Sequence, residues 1–105
     1  MRILLECVNP RLRLVFPGDE VKTVAEMNWR SLSNGDLLEQ AAGFDLFITL
    51  DQNLTYQNYI GKHQFAILVL VTPLNDLPTY RPHFARIRDL SRQTRAGQVS
   101  RLEIT

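Results

Sequence analysis

Residues Phe65 to Val71 form an unbroken run of seven apolar side chains, and Ile67, Val69 and Val71 within it are β-branched. The run is far short of the ~20 apolar residues that span a bilayer, so it does not predict a membrane helix. Its β-branched members favour a strand. A strand apolar on both faces needs cover on both faces, as in a parallel sheet flanked by helices. The rest of the chain must therefore supply partner strands and two layers of helix.

It does so in alternation. Arg2 to Leu5 is a short β-type run that ends at Glu6. Asn9-Pro10 reads as an N-cap with proline at the first helical position, opening a short helix to about Phe16 before Pro17-Gly18 stops it. Glu20 to Val24 is a second strand. Ser33 opens a capping pattern with Asp36 three residues on, followed by Leu37, Leu38, Ala41 and Ala42 at helical spacing and a stop at Gly43. Leu46 to Leu50 is a third strand with Asp51 at its end. A short helix is predicted over Leu54–Ile60, closed by Gly61. Thr79 is the expected cap of the last helix, with Pro82 in its first turn and Tyr80, Phe84, Ile87 and Leu90 as its apolar face. Val99 to Ile104 reads as a fifth strand after Gly97. Strands with a helix in each gap predict right-handed crossovers. The expected fold is α/β: a three-layer α/β/α sandwich around a mainly parallel five-stranded sheet, with the 105 residues forming one domain.

Composition narrows the functional classes. The apolar fraction of 45% and charged fraction of 22% exclude a disordered chain. Cys7 is the only cysteine, which excludes an internal disulfide and a Cys-rich zinc site and fits a reducing, cytoplasmic compartment. Glu6 interrupts the first apolar stretch, so no signal-peptide core is expected. The net charge of +1 conceals an asymmetry. Residues 1–61 hold five basic and eight acidic side chains, and residues 62–105 hold seven basic and three acidic.

In an open parallel sheet, ligands bind beyond the carboxyl ends of the strands. Those ends carry Glu6-Cys7, Asp51-Gln52-Asn53 and Thr72, and Asn34 and Asp36 lie within reach of the same rim. Oxygen donors converging from separate strands suit Mg²⁺ or Mn²⁺, which take one or two carboxylates, several waters and a substrate phosphate. No Gly-rich phosphate loop, His-Glu-x-x-His or Gly-x-Ser-x-Gly is present. His63, in a Gly-Lys-His turn, and His83, in the last helix, are expected far from the rim. Arg81, Arg88, Arg92 and Arg95 follow one another at spacings of 7, 4 and 3, one stripe on a helix that is suited to an RNA backbone.

Three segments carry a resemblance: Met-Arg-Ile-Leu-Leu-Glu-Cys-Val-Asn-Pro at 1–10, Gly-Asp-Glu-Val-Lys-Thr-Val-Ala-Glu-Met-Asn-Trp-Arg-Ser-Leu-Ser-Asn-Gly-Asp-Leu-Leu at 18–38, and Phe-Ile-Thr-Leu-Asp-Gln-Asn-Leu at 47–54. With these the chain resembles, over nearly its whole length, the short PIN-like domains (PilT N-terminus type) related to the nucleases of toxin–antitoxin pairs. The resemblance implies an acidic pocket that binds Mg²⁺ or Mn²⁺ and hydrolyses RNA phosphodiesters. It implies catalytic roles for Glu6, Asp51 and Asp36, and metal ligation by Glu6, Asp51, Asn34 and Asn53. The chain departs from the pattern where such domains usually carry further carboxylates, at Cys7, Asn34 and Asn53. The acidic site is therefore partly degraded, because an amide oxygen has the shape of a carboxylate oxygen without its charge.

Two readings follow: a toxin-type endoribonuclease, or a catalytically inactive PIN-like module binding RNA or an antitoxin-like protein. A second copy of the chain is a further candidate partner, and a membrane is not. Response-regulator receiver domains offer a third comparison through Glu6, Asp51 and Thr72. They also need a lysine after the fifth strand, and no lysine follows Lys62.

Overall fold

The apolar run becomes an interior strand of a five-stranded parallel sheet. In the computed structural model, which describes residues 1–53 and 64–105, the strands are β1 (Arg2–Glu6), β2 (Glu20–Thr23), β3 (Leu46–Thr49), β4 (Ala66–Val71) and β5 (Val99–Glu103). Their order is β2-β1-β3-β4-β5, and every pairing is parallel. The helix expected over Leu54–Ile60, its closing Gly61 and the turn carrying His63 lie outside the described residues.

Period-2 alternation divides the core between two faces. Ile3, Leu5, Leu46, Ile48, Leu68 and Leu70 face one way, into a cluster with Leu12, Val15, Tyr80 and Ile87. Leu4, Phe47, Ile67 and Val69 face the other way, against Leu37, Leu38, Ala41 and Phe44. The first cover layer comprises a 3-10 segment at Pro10–Val15 and the helices α2 (Leu77–Tyr80) and α3 (Phe84–Gln93); the second is α1 (Asn34–Gln40). Helices thus cover both faces of the sheet, which is the expected α/β/α sandwich. None of the described helices is long and apolar enough to cross a membrane.

Local sequence explains most element ends. The Asn9 side chain accepts from the Arg11 N–H, with Pro10 opening the segment, although the segment is 3-10 rather than α. Ser33 Oγ accepts from the Asp36 N–H at 3.3 Å and caps α1. The last helical region departs from expectation in two respects. Its cap is Asp76, whose carboxylate accepts from the Thr79 N–H at 2.9 Å, so Thr79 is the third residue inside the helix rather than its cap. Asp outranks Thr as a cap, and the register follows from Pro78 sitting in the first turn. Pro82 then lies in a 3-10 turn, Arg81–His83, joining α2 to α3, because proline has no N–H to continue an α-helical ladder. After α3, Gly97 takes a φ of 82°, a left-handed turn that leads into β5.

Leu68 is wholly buried at the centre of β4. Leu68→Ala is expected to cost about 2–5 kcal/mol, seen as a lower urea midpoint with little change in slope.

Candidate functional site

The strand order reverses direction between β1 and β3, and at such a switch point the loops leaving neighbouring strands diverge and open a crevice. Glu6 ends β1 and Thr49 ends β3, and the two are register partners. Both share the alternation of Leu4 and Phe47, so both belong to the α1 face of the sheet. A cleft of about 790 Å³ opens there, lined by Glu6, Cys7, Thr23, Trp29, Arg30, Leu32, Asn34, Leu37 and Asp51 among others.

A hydrogen-bonded chain joins the two strand ends. The Thr49 hydroxyl donates to Glu6 Oε1 at 2.8 Å, and the Asp51 N–H donates to Thr49 Oγ1 at 3.0 Å. Asp51 Oδ1 in turn accepts from the Asn53 N–H at 2.9 Å, closing a turn that orients the carboxylate. Glu6 is only 8% exposed. Burial pushes its carboxyl above the ordinary range, opposed by the Thr49 hydrogen bond; the nearby Asp51 charge pushes it further up, and a hydrogen bond from Cys7 opposes that. The Cys7 thiol is pushed up as well, by burial and then by the Glu6 charge and hydrogen bond, so it stays protonated at neutral pH. A thiol that stays protonated is a poor nucleophile.

Cys7 has a φ of 59°, a left-handed conformation unusual for a side chain of any size. Asn75 holds it there from the β4–α2 loop. Asn75 Nδ2 donates to the Cys7 carbonyl at 3.0 Å, and Asn75 Oδ1 accepts from the Asn9 N–H at 2.8 Å and from the Tyr80 hydroxyl at 2.6 Å. Tyr80 is fully buried, and its phenol is pushed up to about 12 by burial and by Asp76, so it remains a donor.

The structure brings Glu6, Asp51 and Asn34 to one cleft. Asp36 is exposed on α1, and neither it nor Asn53 lines the cleft; the described contact of Asn53 with the site is its backbone N–H. Thr72 donates its hydroxyl to the Leu74 carbonyl at 2.6 Å, within its own turn. His83 contacts the Thr105 carbonyl, away from the cleft.

The arginine stripe is also separate from the cleft. Arg81 stacks over Phe84 at 6.0 Å, and Arg88 donates to the Val15 carbonyl. The charge of Arg92 reaches the Met1 amino group, at the amino edge of β1. The Arg95 N–H pairs with Gln98 in the turn before β5. The stripe runs along the opposite layer, towards the opposite edge from Glu6.

Among the described residues, no three His, Cys, Asp or Glu side chains form a metal-binding group, and neither Glu6 nor Asp51 makes an ion pair. The Glu6 and Asp51 carboxylates and the Asn34 amide nonetheless line one cleft, and oxygen donors of this kind are those that Mg²⁺ or Mn²⁺ takes, with waters completing the shell. Thr49, Trp29 and Arg30 belong to the site without having been singled out from sequence. Alternation marks Thr49 as sharing a face with Phe47, but only the β1–β3 register places it beside Glu6. Comparison of the chain with protein-family models, curated proteins and solved structures finds no match.

Two outcomes are expected. A carboxyl raised in the folded state makes that state bind more protons than the unfolded chain, so stability falls as pH rises from the ordinary Glu range through the folded value. Glu6→Gln should therefore melt higher than wild type at neutral pH, with the difference closing below about pH 4, the ordinary carboxyl range; thermal unfolding followed by circular dichroism across pH reads this. Asn75→Ala leaves the Tyr80 hydroxyl and the Cys7 loop without their partner and should cost about 1–3 kcal/mol in urea denaturation.

Proposed function

We propose that the chain is a PIN-like, toxin-type hydrolase of RNA phosphodiesters, dependent on Mg²⁺ or Mn²⁺ and working from a reduced acidic site. The observation that carries this reading is the meeting of Glu6 and Asp51, 45 positions apart in sequence, at one cleft on the switch point of the sheet. Glu6 and Asp51 would hold the ion, with the Asn34 carbonyl oxygen assisting. When bound, the ion supplies an activated water and a counter-charge for the phosphate oxygens.

The chain's own residues have distinct tasks. Thr49 fixes the Glu6 carboxylate by donating to it. The turn at Asn53 fixes one Asp51 oxygen and leaves the other for ligation. Leu32, Leu37 and Val24 limit water in the cleft, which strengthens every charge interaction there.

A second reading is supported by the replacement of carboxylates at Cys7, Asn34 and Asn53: a catalytically inactive module that binds RNA or an antitoxin-like protein. One assay separates the two. Purified full-length chain with Mn²⁺ and labelled single-stranded and hairpin RNA should give cleavage that EDTA abolishes. Glu6→Gln combined with Asp51→Asn should lower it by on the order of 10²-fold or more. Wild-type cleavage no greater than that of the double variant would overturn the nuclease reading in favour of the inactive module.

A further inference from the structure

The wall of the cleft facing Glu6 and Asp51 is built from the segment that follows β2. Asn28 adopts a left-handed φ of 61° and reverses the chain. The Trp29 N–H donates back to the Val24 carbonyl at 3.0 Å, and the Leu32 N–H donates to the Trp29 carbonyl at 3.1 Å. These bonds present Trp29 and Arg30 side by side on the cleft lining. The indole is fixed edge-on against Phe44, with ring centroids 6.2 Å apart and planes at 83°, and it is only partly buried. It is therefore a fixed aromatic surface at the cleft and not a wholly enclosed core residue.

Arg30 differs from Arg2 and Arg13. Arg2 pairs with Glu20 at 2.6 Å, and Arg13 pairs with Glu26 at 2.6 Å. Arg30 is exposed, and among the described residues it makes no ion pair and no side-chain hydrogen bond, although Glu6 and Asp51 line the same cleft. Its charge is nevertheless felt at Cys7, across the cleft. An unpartnered guanidinium beside a fixed indole, in a cleft of about 790 Å³, has the elements of a nucleotide subsite. The planar fork matches phosphate oxygens, and the ring offers a face to a base.

We propose that Trp29 and Arg30 form a nucleotide-binding subsite, with Arg30 taking a phosphate of a nucleic-acid strand and Trp29 stacking on the adjoining base. The inference rests on the phosphodiester reading for its ligand class and extends it to the residues that seat the substrate. It also gives the cleft a division of labour: the β1 and β3 ends carry the negative charge, and the segment after β2 carries the positive charge and the aromatic surface. An oligonucleotide bridging the two would place a phosphate between Arg30 and the carboxylates.

Trp29 is the only tryptophan, so its fluorescence reports on the subsite without a label. The experiment titrates the full-length chain with a cleavage-resistant 2′-O-methyl oligoribonucleotide in Mg²⁺, reading Trp29 emission and, in parallel, anisotropy of a labelled oligonucleotide. Saturable quenching is expected. Arg30→Ala should weaken binding by about tenfold and flatten the salt dependence by about 0.7 in log–log slope, the loss of one single-strand phosphate contact. Arg30→Lys, which keeps charge without the fork, should fall between, and Arg86→Ala on exposed α3 should match wild type. Unchanged affinity and slope in Arg30→Ala, oligonucleotide binding without any change in Trp29 emission, or no binding to wild type would each overturn the subsite. If Arg30→Ala binds like wild type while the Glu6→Gln/Asp51→Asn chain still loses cleavage, the subsite fails and the nuclease reading stands. If the subsite behaves as expected but wild type cleaves nothing, only the nuclease reading fails.

Discussion

The Thr49 hydroxyl on the Glu6 carboxylate is the contact around which the carboxyl edge of the sheet is organised. Alternation along β1 puts Glu6 on the same face as Leu4, so its charge must sit at the margin of an apolar layer that includes Leu37 and Phe47. Burial there is unfavourable for a carboxylate unless donors meet it. Thr49 meets it, and the Asp51 N–H holds Thr49 in place. The same contact couples the ends of β1 and β3, the two strands between which the connection reverses direction. A fold that sought only stability would place an apolar residue at position 6. An acid there, held by the Thr49 hydroxyl and pushed up by burial and by the Asp51 charge, is the kind of perturbed group that clusters at functional sites.

Asn75 performs a complementary task from the other side of the sheet. Its three side-chain hydrogen bonds reach Cys7, Asn9 and Tyr80, so one loop residue links the exit of β1 to the helical layer. The link matters because Cys7 is in a left-handed conformation that local sequence does not favour. The buried Tyr80 phenol is the fixed point, and the strain at Cys7 is offset through Asn75.

The architecture was legible in the sequence because its signals are local. The Phe65–Val71 run required a two-sided sheet, and capping residues at Asn9 and Ser33 set two helical starts. Thr79 was misread as a cap because Asp76, Thr79 and Pro82 all carry start signals, and only the folded backbone shows which one is used. At the site, Glu6, Asp51 and Asn34 were readable from strand ends and from the family resemblance. Asp36 and Asn53 entered through the family resemblance, yet Asp36 lies in the first turn of α1 and the Asn53 N–H closes the turn after Asp51. Thr49 and Arg30 could not be read in this way, since their importance comes from inter-strand register and from a reversal at Asn28.

The position of the arginine stripe bears on how a nucleic acid would approach. α3 packs on the Leu68 face of the sheet, whereas the cleft opens at the carboxyl edge around the ends of β1 and β3. Arg92 lies near Met1, at the start of β1, and Glu6 lies at its end. At about 3.3 Å per residue, the four steps from Arg2 to Glu6 separate the two edges by roughly 13 Å, already beyond the Debye length at physiological salt. Arg92 therefore adds little field at the cleft, where the nearby positive charge is that of Arg30. Among the described residues Arg30 makes no ion pair with Glu6 or Asp51, so the cleft keeps separate regions of opposite charge. Such an arrangement admits a cation and an anion together more readily than either alone, since each ion screens the charge that repels the other. On the proposed reading, cation and phosphate binding at this cleft would be coupled by electrostatics, and a site with few carboxylates would draw on substrate oxygens to complete its shell.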